Sequence, residues 1–224
     1  MLKNISIFDL DGTLIDSSPD FVKCLNILLT ENNHATIQES DIRCLVSDGS
    51  NVLLKNFLKP SSNEELQNLR ERFFKLYHEE LEHGSNFFEG VEELITFLEE
   101  ENIPWGIVTN KFKRFAEKII QNNSLLQKSQ VLVTPDDVSI AKPNPEGLIK
   151  AANILGFQPD QCIYVGDHLK DLEAGSNAGM PSIGCLFGYS MTKNDETKKH
   201  TNYFVHDAYE LKSLLSQKIV LHEK

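Results

Sequence analysis

Asn4-Ile5-Ser6-Ile7-Phe8-Asp9-Leu10-Asp11-Gly12-Thr13-Leu14-Ile15-Asp16-Ser17 is the stretch on which the reading of this chain turns. It begins as an apolar run, Ile5, Ile7 and Phe8, of the kind that forms a short buried strand. Asp9 and Asp11 stand where the run ends, and Gly12 lets the backbone turn away. Residues two apart on an extended chain point to one side, so the two carboxylates can converge at the carboxyl end of the strand. Carboxylates placed that way repel each other unless a proton or a cation lies between them. A shared proton is one solution and a hard cation such as Mg²⁺ is the other. Asp-Leu-Asp-Gly is also the composition of an ordinary polar turn, so the decision rests on the rest of the chain.

Working outward, the bulk composition bounds the answer. The 224 residues are 40% hydrophobic and 25% charged, an ordinary globular mixture. At roughly 150 residues per domain this length gives one large domain or a core with a smaller partner. The 22 basic residues against 33 acidic ones leave a formal charge of −11, which excludes a broad nucleic-acid or anionic-membrane surface. An anionic small molecule stays possible if cations or a metal cluster locally. Cys24, Cys44, Cys162 and Cys185 show no C-x-x-C spacing, so a zinc site is not expected, and three of them lie among apolar neighbours as reduced thiols would. No signal-peptide pattern precedes the first strand, and no apolar run approaches the ~20 residues of a membrane span. The expected setting is cytoplasmic, the expected state monomer or homodimer, and the expected partner a small molecule rather than nucleic acid or membrane.

Residues 17–85 carry helical periodicity throughout. Phe21, Leu25, Leu28 and Leu29 share one face, and shorter helices are expected over 38–45 and 51–58. Ser62-Asn63-Glu64-Glu65 has the form of a capping box opening a long helix, which His83-Gly84-Ser85 ends. From Phe87 onward apolar strands alternate with helices: 104–109, 131–133, 162–165 and 181–187 read as strands, and a last helix begins at Asp207. That alternation predicts an α/β fold, a doubly wound (Rossmann-like) parallel sheet of about five strands covered on both faces. The catalytic core is expected over 1–16 and 86–224, with 17–85 as an inserted all-helical cap. Ser190 to Thr201 reads as a solvated surface loop.

In such a sheet, ligands bind outside the carboxyl ends of the strands. After the successive strands come Asp9 and Asp11, then Thr109 and Asn110, then Lys142 beyond a loop, then Asp167 with Asp171 one turn later. Each has a plain alternative. Thr109, Asn110 and Asp167 are good helix caps, Lys142 can be a surface lysine, and Asp171 can be a solvated first-turn acid. Their conjunction at four strand ends is what marks a site.

Phe8-Asp9-Leu10-Asp11-Gly12-Thr13-Leu14, Val108-Thr109-Asn110-Lys111, Lys142-Pro143-Asn144-Pro145 and Gly166-Asp167-His168-Leu169-Lys170-Asp171 resemble, in order, the four motifs of the haloacid dehalogenase superfamily. The helical insert resembles the family's C1 cap. The resemblance implies Asp9 as nucleophile, forming an aspartyl-phosphate, and Asp11 as general acid and base. It implies Mg²⁺ held by Asp9, the Asp11 backbone carbonyl and Asp167. Thr109, the Asn110 backbone N–H and Lys142 would hold phosphoryl oxygens, and Asp171 would orient the metal site rather than ligate. Asp11 favours phosphoryl over dehalogenase chemistry, because the dehalogenase branch lacks an acid at that position.

Within the family the chain is similar to phosphoglycolate phosphatases and to N-acetylmuramic acid 6-phosphate phosphatases. The resemblance rests on 103–110, Phe88-Glu89-Gly90 and Leu186-Phe187-Gly188-Tyr189, with Ile42-Arg43 and Val46-Ser47-Asp48-Gly49 leaning to the muramate type. Arg43, Asp48 and Gly49 are the cap-side candidates for reading the leaving group. Asp48 stands where many relatives have Asn; it either faces the site, where it would repel a substrate carboxylate, or caps the following helix. The implied activity is an Mg²⁺-dependent phosphomonoesterase of a small phosphorylated metabolite, phosphoglycolate phosphatase-like. An N-acetylmuramic acid 6-phosphate phosphatase, a sugar phosphomutase and a non-hydrolytic phosphoacceptor module are the alternatives.

Overall fold

A computed structural model describes residues 5–83 and 85–217. Asn4, the Gly84 of the expected helix-ending turn, and the outermost stretches of the expected core, 1–4 and 218–224, lie outside the described residues.

The described elements run β1 (Ile5–Phe8), β2 (Ile15–Asp16), α1 (Ser18–Glu31), α2 (Glu39–Ile42), α3 (Ser50–Phe57), α4 (Asn63–Glu80), β3 (Asn86–Phe87), α5 (Val91–Glu100) and β4 (Trp105–Val108). They continue α6 (Lys113–Gln121), β5 (Leu132–Val133), α7 (Glu146–Leu155), β6 (Cys162–Gly166), α8 (Leu169–Ala178), β7 (Ser182–Cys185), β8 (Tyr203–Val205) and α9 (Ala208–Ser216). Six strands form one sheet in the order β5-β4-β1-β6-β7-β8, every neighbouring pair parallel. The chain winds outward from β1 in one direction and then in the other, so the strand order reverses beside β1. That reversal opens the crevice at the carboxyl ends where a Rossmann-like sheet takes its ligand.

Strand alternation assigns the two faces. Ile5 and Ile7 of β1 pack with Val108, Val133 and Tyr164 against Leu148 and Ala151 of α7 and Ala174 of α8. Phe8 points the other way, into a core shared with Leu94 of α5, Phe115 of α6 and Leu211 of α9. That second core runs on without a break into the helical insert through Leu25, Phe73 and Tyr77. All four residues of β1 and all five of β6 are buried, as strands covered on both faces must be.

Two features depart from expectation. The sheet has a sixth strand, β8, pairing Tyr203 with Ile183 and Val205 with Cys185. The Ser190–Thr201 segment before it is not simply solvated: Met191, Thr197 and Thr201 are buried, and the Thr201 hydroxyl donates to the Ser182 carbonyl at 2.5 Å. The other departure is a two-stranded antiparallel ribbon, Ile15 opposite Phe87 and Asp16 opposite Asn86, joining the two crossings between sheet and insert. Within the insert four α-helices are present, α2 tightening into a 3₁₀ turn over Arg43–Asp48. The capping box at Ser62 is half formed. Ser62 accepts from Glu65 N–H at 3.1 Å, but the Glu65 carboxylate reaches Ser61 rather than Ser62. Among the described residues no helix is long and apolar enough to cross a membrane.

Candidate active site

The four strand ends converge. Asp9 lies one residue beyond β1, its N–H on the Val165 carbonyl at 2.8 Å, which fixes it between β1 and β6. Its Oδ1 accepts from Leu10 N–H at 2.8 Å and lies 3.0 Å from Lys142 Nζ. Lys142 is buried and also donates to Asp171 Oδ1 and the Tyr164 hydroxyl, both at 2.7 Å. Burial works against the charge on Lys142, but Asp171 and Asp9 outweigh it and hold the ammonium above the ordinary lysine value. The expected surface alternative for Lys142 is therefore excluded.

Asp171 sits in the first turn of α8 but is buried, with Oδ2 accepting from His168 N–H at 2.9 Å. Ligand atoms of Asp9, Asp167 and Asp171 lie within 4.8 Å of one another. Both Asp171 oxygens are already committed to Lys142 and His168, so its placement is that of a group that aims the lysine, as expected of an orienting acid. His168, not Asp167, caps α8: its Nδ1 accepts from Lys170 N–H at 3.0 Å.

Asp167 is fully buried. Its Oδ2 accepts from Tyr189 N–H at 3.0 Å and from the Ser47 hydroxyl of the insert at 3.2 Å. Burial, then the neighbouring Asp171 and Asp9, push its carboxyl well above the usual range. Burial likewise raises Asp9 to about 6, Lys142 partly offsetting it. Acids arranged like this are destabilised as anions. Asp9, Asp11, Asp167 and Asp171 face two ammonium groups, Lys142 and Lys111, a surplus of two negative charges when all are ionised. Hard oxygen donors with that surplus fit a divalent cation such as Mg²⁺. Of the three residues expected to hold it, Asp9 and Asp167 bring carboxylates together, whereas the Asp11 side chain turns elsewhere; only its backbone carbonyl is left for such a role.

The seat of Asp167 explains Gly12. Gly12 has φ +82°, and a Cβ there would stand 2.3 Å from Asp167 Oδ2. Gly12→Ala is expected to cost about 2–3 kcal/mol of folding stability. Urea unfolding checks this, and a variant as stable as the parent would contradict the packing described.

Asp11 is held by Lys111, whose Nζ lies 2.8 and 2.9 Å from its two oxygens, and by the Ser17 hydroxyl at 2.7 Å. Lys111 also donates to the Tyr77 hydroxyl of α4 at 2.7 Å and lies over the Phe21 and Tyr77 rings. In the sequence Lys111 stands out only as part of a motif and Tyr77 only as a candidate for the apolar face of a helix; the partners of Lys111 are 100 and 34 residues away, with no local signal. A cavity of about 140 Å³ opens between sheet and insert, lined by Asp9, Asp11, Thr109, Asn110, Lys111 and Lys142 on the core side.

Thr109 and Asn110 line this cavity and neither caps α6, whose N-cap is Phe112. The Asn110 side chain clasps the Lys142 backbone, Nδ2 donating to its carbonyl at 3.0 Å and Oδ1 accepting its N–H at 3.1 Å. That clasp sets Lys142 in place.

The three cap-side candidates separate. Gly49, with φ +90°, lines the cavity. Asp48 does not; its Oδ1 lies 3.5 Å from His168 Nε2 and 3.7 Å from Lys170 Nζ, tying insert to core. It does not cap α3, whose N-cap is Gly49, and the His168 and Lys170 it approaches themselves line the cavity. Arg43 is also off the cavity. Its Nη1 binds Asp16 at 3.0 Å and Glu39 at 2.8 Å, and its guanidinium lies over the Phe88 and Tyr189 rings. The Tyr189 hydroxyl accepts from Ser17 and Ser18 N–H at 2.6 and 3.1 Å and donates to Asp16. Arg43 and Tyr189 therefore brace the crossing between sheet and insert.

Residues 6–185 match the family model described as haloacid dehalogenase-like hydrolase. An N-acetylmuramic acid 6-phosphate phosphatase of Pseudomonas putida is 33% identical over 93% of this chain and 94% of its own. A phosphoglycolate phosphatase of Xanthomonas campestris pv. campestris is 36% identical over 84% of this chain and 86% of its own. In fold, a crystal structure described as a predicted phosphoglycolate phosphatase from Haemophilus somnus aligns with a TM-score of 0.81 at 24% identity, covering 96% of this chain and 99% of that one.

Proposed function

The chain belongs to the haloacid dehalogenase-like hydrolase family and is a phosphatase of it, and from that premise we propose an Mg²⁺-dependent phosphomonoesterase that works through an aspartyl-phosphate on Asp9. The observation that carries this reading is the convergence of Asp9, Asp167 and Lys142 at the mouth of the sheet, with Asp11 beside them.

In the proposed reaction an Asp9 oxygen attacks phosphorus as the bond to the leaving alcohol breaks. Asp11 gives its proton to the oxygen of the leaving alcohol. Water then attacks the aspartyl-phosphate, Asp11 takes up the proton, and phosphate leaves with Asp9 restored. Lys142, the Thr109 hydroxyl and the Asn110 backbone N–H hold the phosphoryl oxygens through the change of charge. Asp9, Asp167 and the Asp11 backbone carbonyl would hold Mg²⁺, which screens carboxylate from phosphate and offsets charge in the transition state. The substrate is a small phosphorylated metabolite; phosphoglycolate and N-acetylmuramic acid 6-phosphate are the first candidates, because the similar phosphatases carry those names. Residues 17–85 act as the substrate-selecting cap of a core formed by 1–16 and 86–224. The protein works as a monomer or homodimer, and four free thiols accord with a cytoplasmic setting.

Two outcomes test the metal. Excess EDTA is expected to stop release of p-nitrophenol from p-nitrophenyl phosphate, and undiminished turnover in chelator would remove the metal role. The second is thermal. Asp9 is raised from 3.8 to about 6, so between those values the folded state binds its proton more tightly than the unfolded state. Stability of the metal-free protein from this group therefore falls as pH rises through that window and stays low above it. Mg²⁺ offsets that loss. Saturating Mg²⁺ is expected to raise Tm by roughly 4–8 °C at pH 7.5 and by clearly less at pH 5. An equal rise at both would contradict carboxylate ligation.

A further inference from the structure

The phosphoryl end of the cavity has its own cation in Lys142. Lys111 is a second buried lysine in the same cavity, on the flank toward the insert, with a side chain only 5% exposed. Around it the wall is mostly aromatic: Phe21, Phe73, Phe74, Tyr77, Phe112 and Phe115 line the space that a leaving group would enter, and Lys170 is a further cation in the lining. In the resting arrangement both oxygens of Asp11 are engaged by Lys111. An Asp11 that reaches the leaving oxygen must loosen that pairing. The ammonium is then left among aromatic rings, where an unpaired charge is costly. Tyr77 uses its oxygen to accept from Lys111, so its hydrogen stays available to donate. Burial pushes its hydroxyl pKa well up, so it stays protonated. A released ammonium and a phenol O–H beside each other form a receptor for a carboxylate.

We propose that Lys111, assisted by Tyr77, is the specificity residue that reads a carboxylate on the leaving alcohol, so the substrates are phosphomonoesters of hydroxy acids. This rests on the phosphomonoesterase reading above and narrows it. Asp48 does not itself line the cavity, and its carboxylate is paired with Lys170, which does, so its charge there is offset. Both substrates named for the similar phosphatases carry such a carboxylate, the one on glycolate and the other on the lactyl ether of the sugar.

The test is a pair of comparisons by kcat/KM between phosphomonoesters that carry the carboxylate and ones that lack it. Phosphoglycolate is set against 2-hydroxyethyl phosphate, and N-acetylmuramic acid 6-phosphate against N-acetylglucosamine 6-phosphate. The parent enzyme is expected to favour the carboxylate-bearing member by about 10- to 100-fold in the pair it turns over. Lys111→Met is expected to bring that ratio to within about threefold of unity, and Lys111→Arg to restore part of it. Tyr77→Phe, which keeps the ring, is expected to lower the ratio about three- to tenfold, a readout that stands even if Lys111→Met does not fold. A parent that favours the neutral member, or a ratio unmoved in Lys111→Met and Tyr77→Phe, overturns the proposal. So does a ratio lost in Lys170→Met but kept in Lys111→Met. Turnover of p-nitrophenyl phosphate with neither pair hydrolysed sinks this inference alone; no turnover of any phosphomonoester sinks the phosphatase reading with it.

Discussion

Asp9→Asn is expected to lower turnover of p-nitrophenyl phosphate by about 10⁴-fold or more while leaving a fully folded protein. The amide fills the same volume but cannot form the acyl-phosphate. Stability separates this from simple damage. The Asp9 carboxylate is penalised by burial and raised to about 6, so a neutral amide removes a cost at pH 7.5. Without metal, the variant is expected to melt at or above the parent. Lys142 keeps Asp171 as its partner at 2.7 Å, so no ammonium is stranded. A variant that melts far lower, or that keeps parental activity, would contradict the role given to Asp9.

The opposite pattern is expected for Lys142→Met. This substitution strands two carboxylates, Asp9 and Asp171, that the ammonium now bridges at 3.0 and 2.7 Å. Breaking a buried pair by removing one partner costs about 3–5 kcal/mol. Loss of a phosphoryl-holding donor is worth about 10²–10³ in turnover. Removal of the cation raises Asp9 further, so it takes up a proton at mild acidity and the cost falls. Urea unfolding at pH 8 and pH 5.5 is therefore expected to show the larger destabilisation at pH 8. Equal destabilisation at the two values, or none, would contradict the bridging arrangement.

What the sequence revealed follows from how local the signals are. The strand ending in Asp9 and Asp11, the alternation that makes a parallel sheet, and the acids and lysine at its strand ends are each written in a few consecutive residues. The structure brings Asp9, Asp167, Asp171 and Lys142 together. Long-range pairings were not legible. Asp11 to Lys111, Ser47 to Asp167 and Arg43 to Asp16 span 100, 120 and 27 residues, and no periodicity announces them. Arg43 reads as a substrate contact because its stretch resembles the muramate-type phosphatases, yet the carboxylates and rings that hold it lie at the crossing to the core. Asp48 reads as a cap or a cavity acid because turn chemistry knows nothing of His168. The sixth strand escaped because it is only Tyr203–Val205 and follows a polar stretch; its pairing to β7 and the buried threonines before it are tertiary facts.

The account stands most directly on one covalent bond, that between Asp9 and phosphorus. Enzyme mixed with excess phosphomonoester, quenched in acid during turnover and digested for mass spectrometry, is expected to carry one phosphoryl group on the peptide containing Asp9. That label is expected to be labile to hydroxylamine, as an acyl-phosphate is, and absent from Asp9→Asn. Phosphate released at the parental rate with no label at Asp9, or with the label on another residue, would contradict the mechanism.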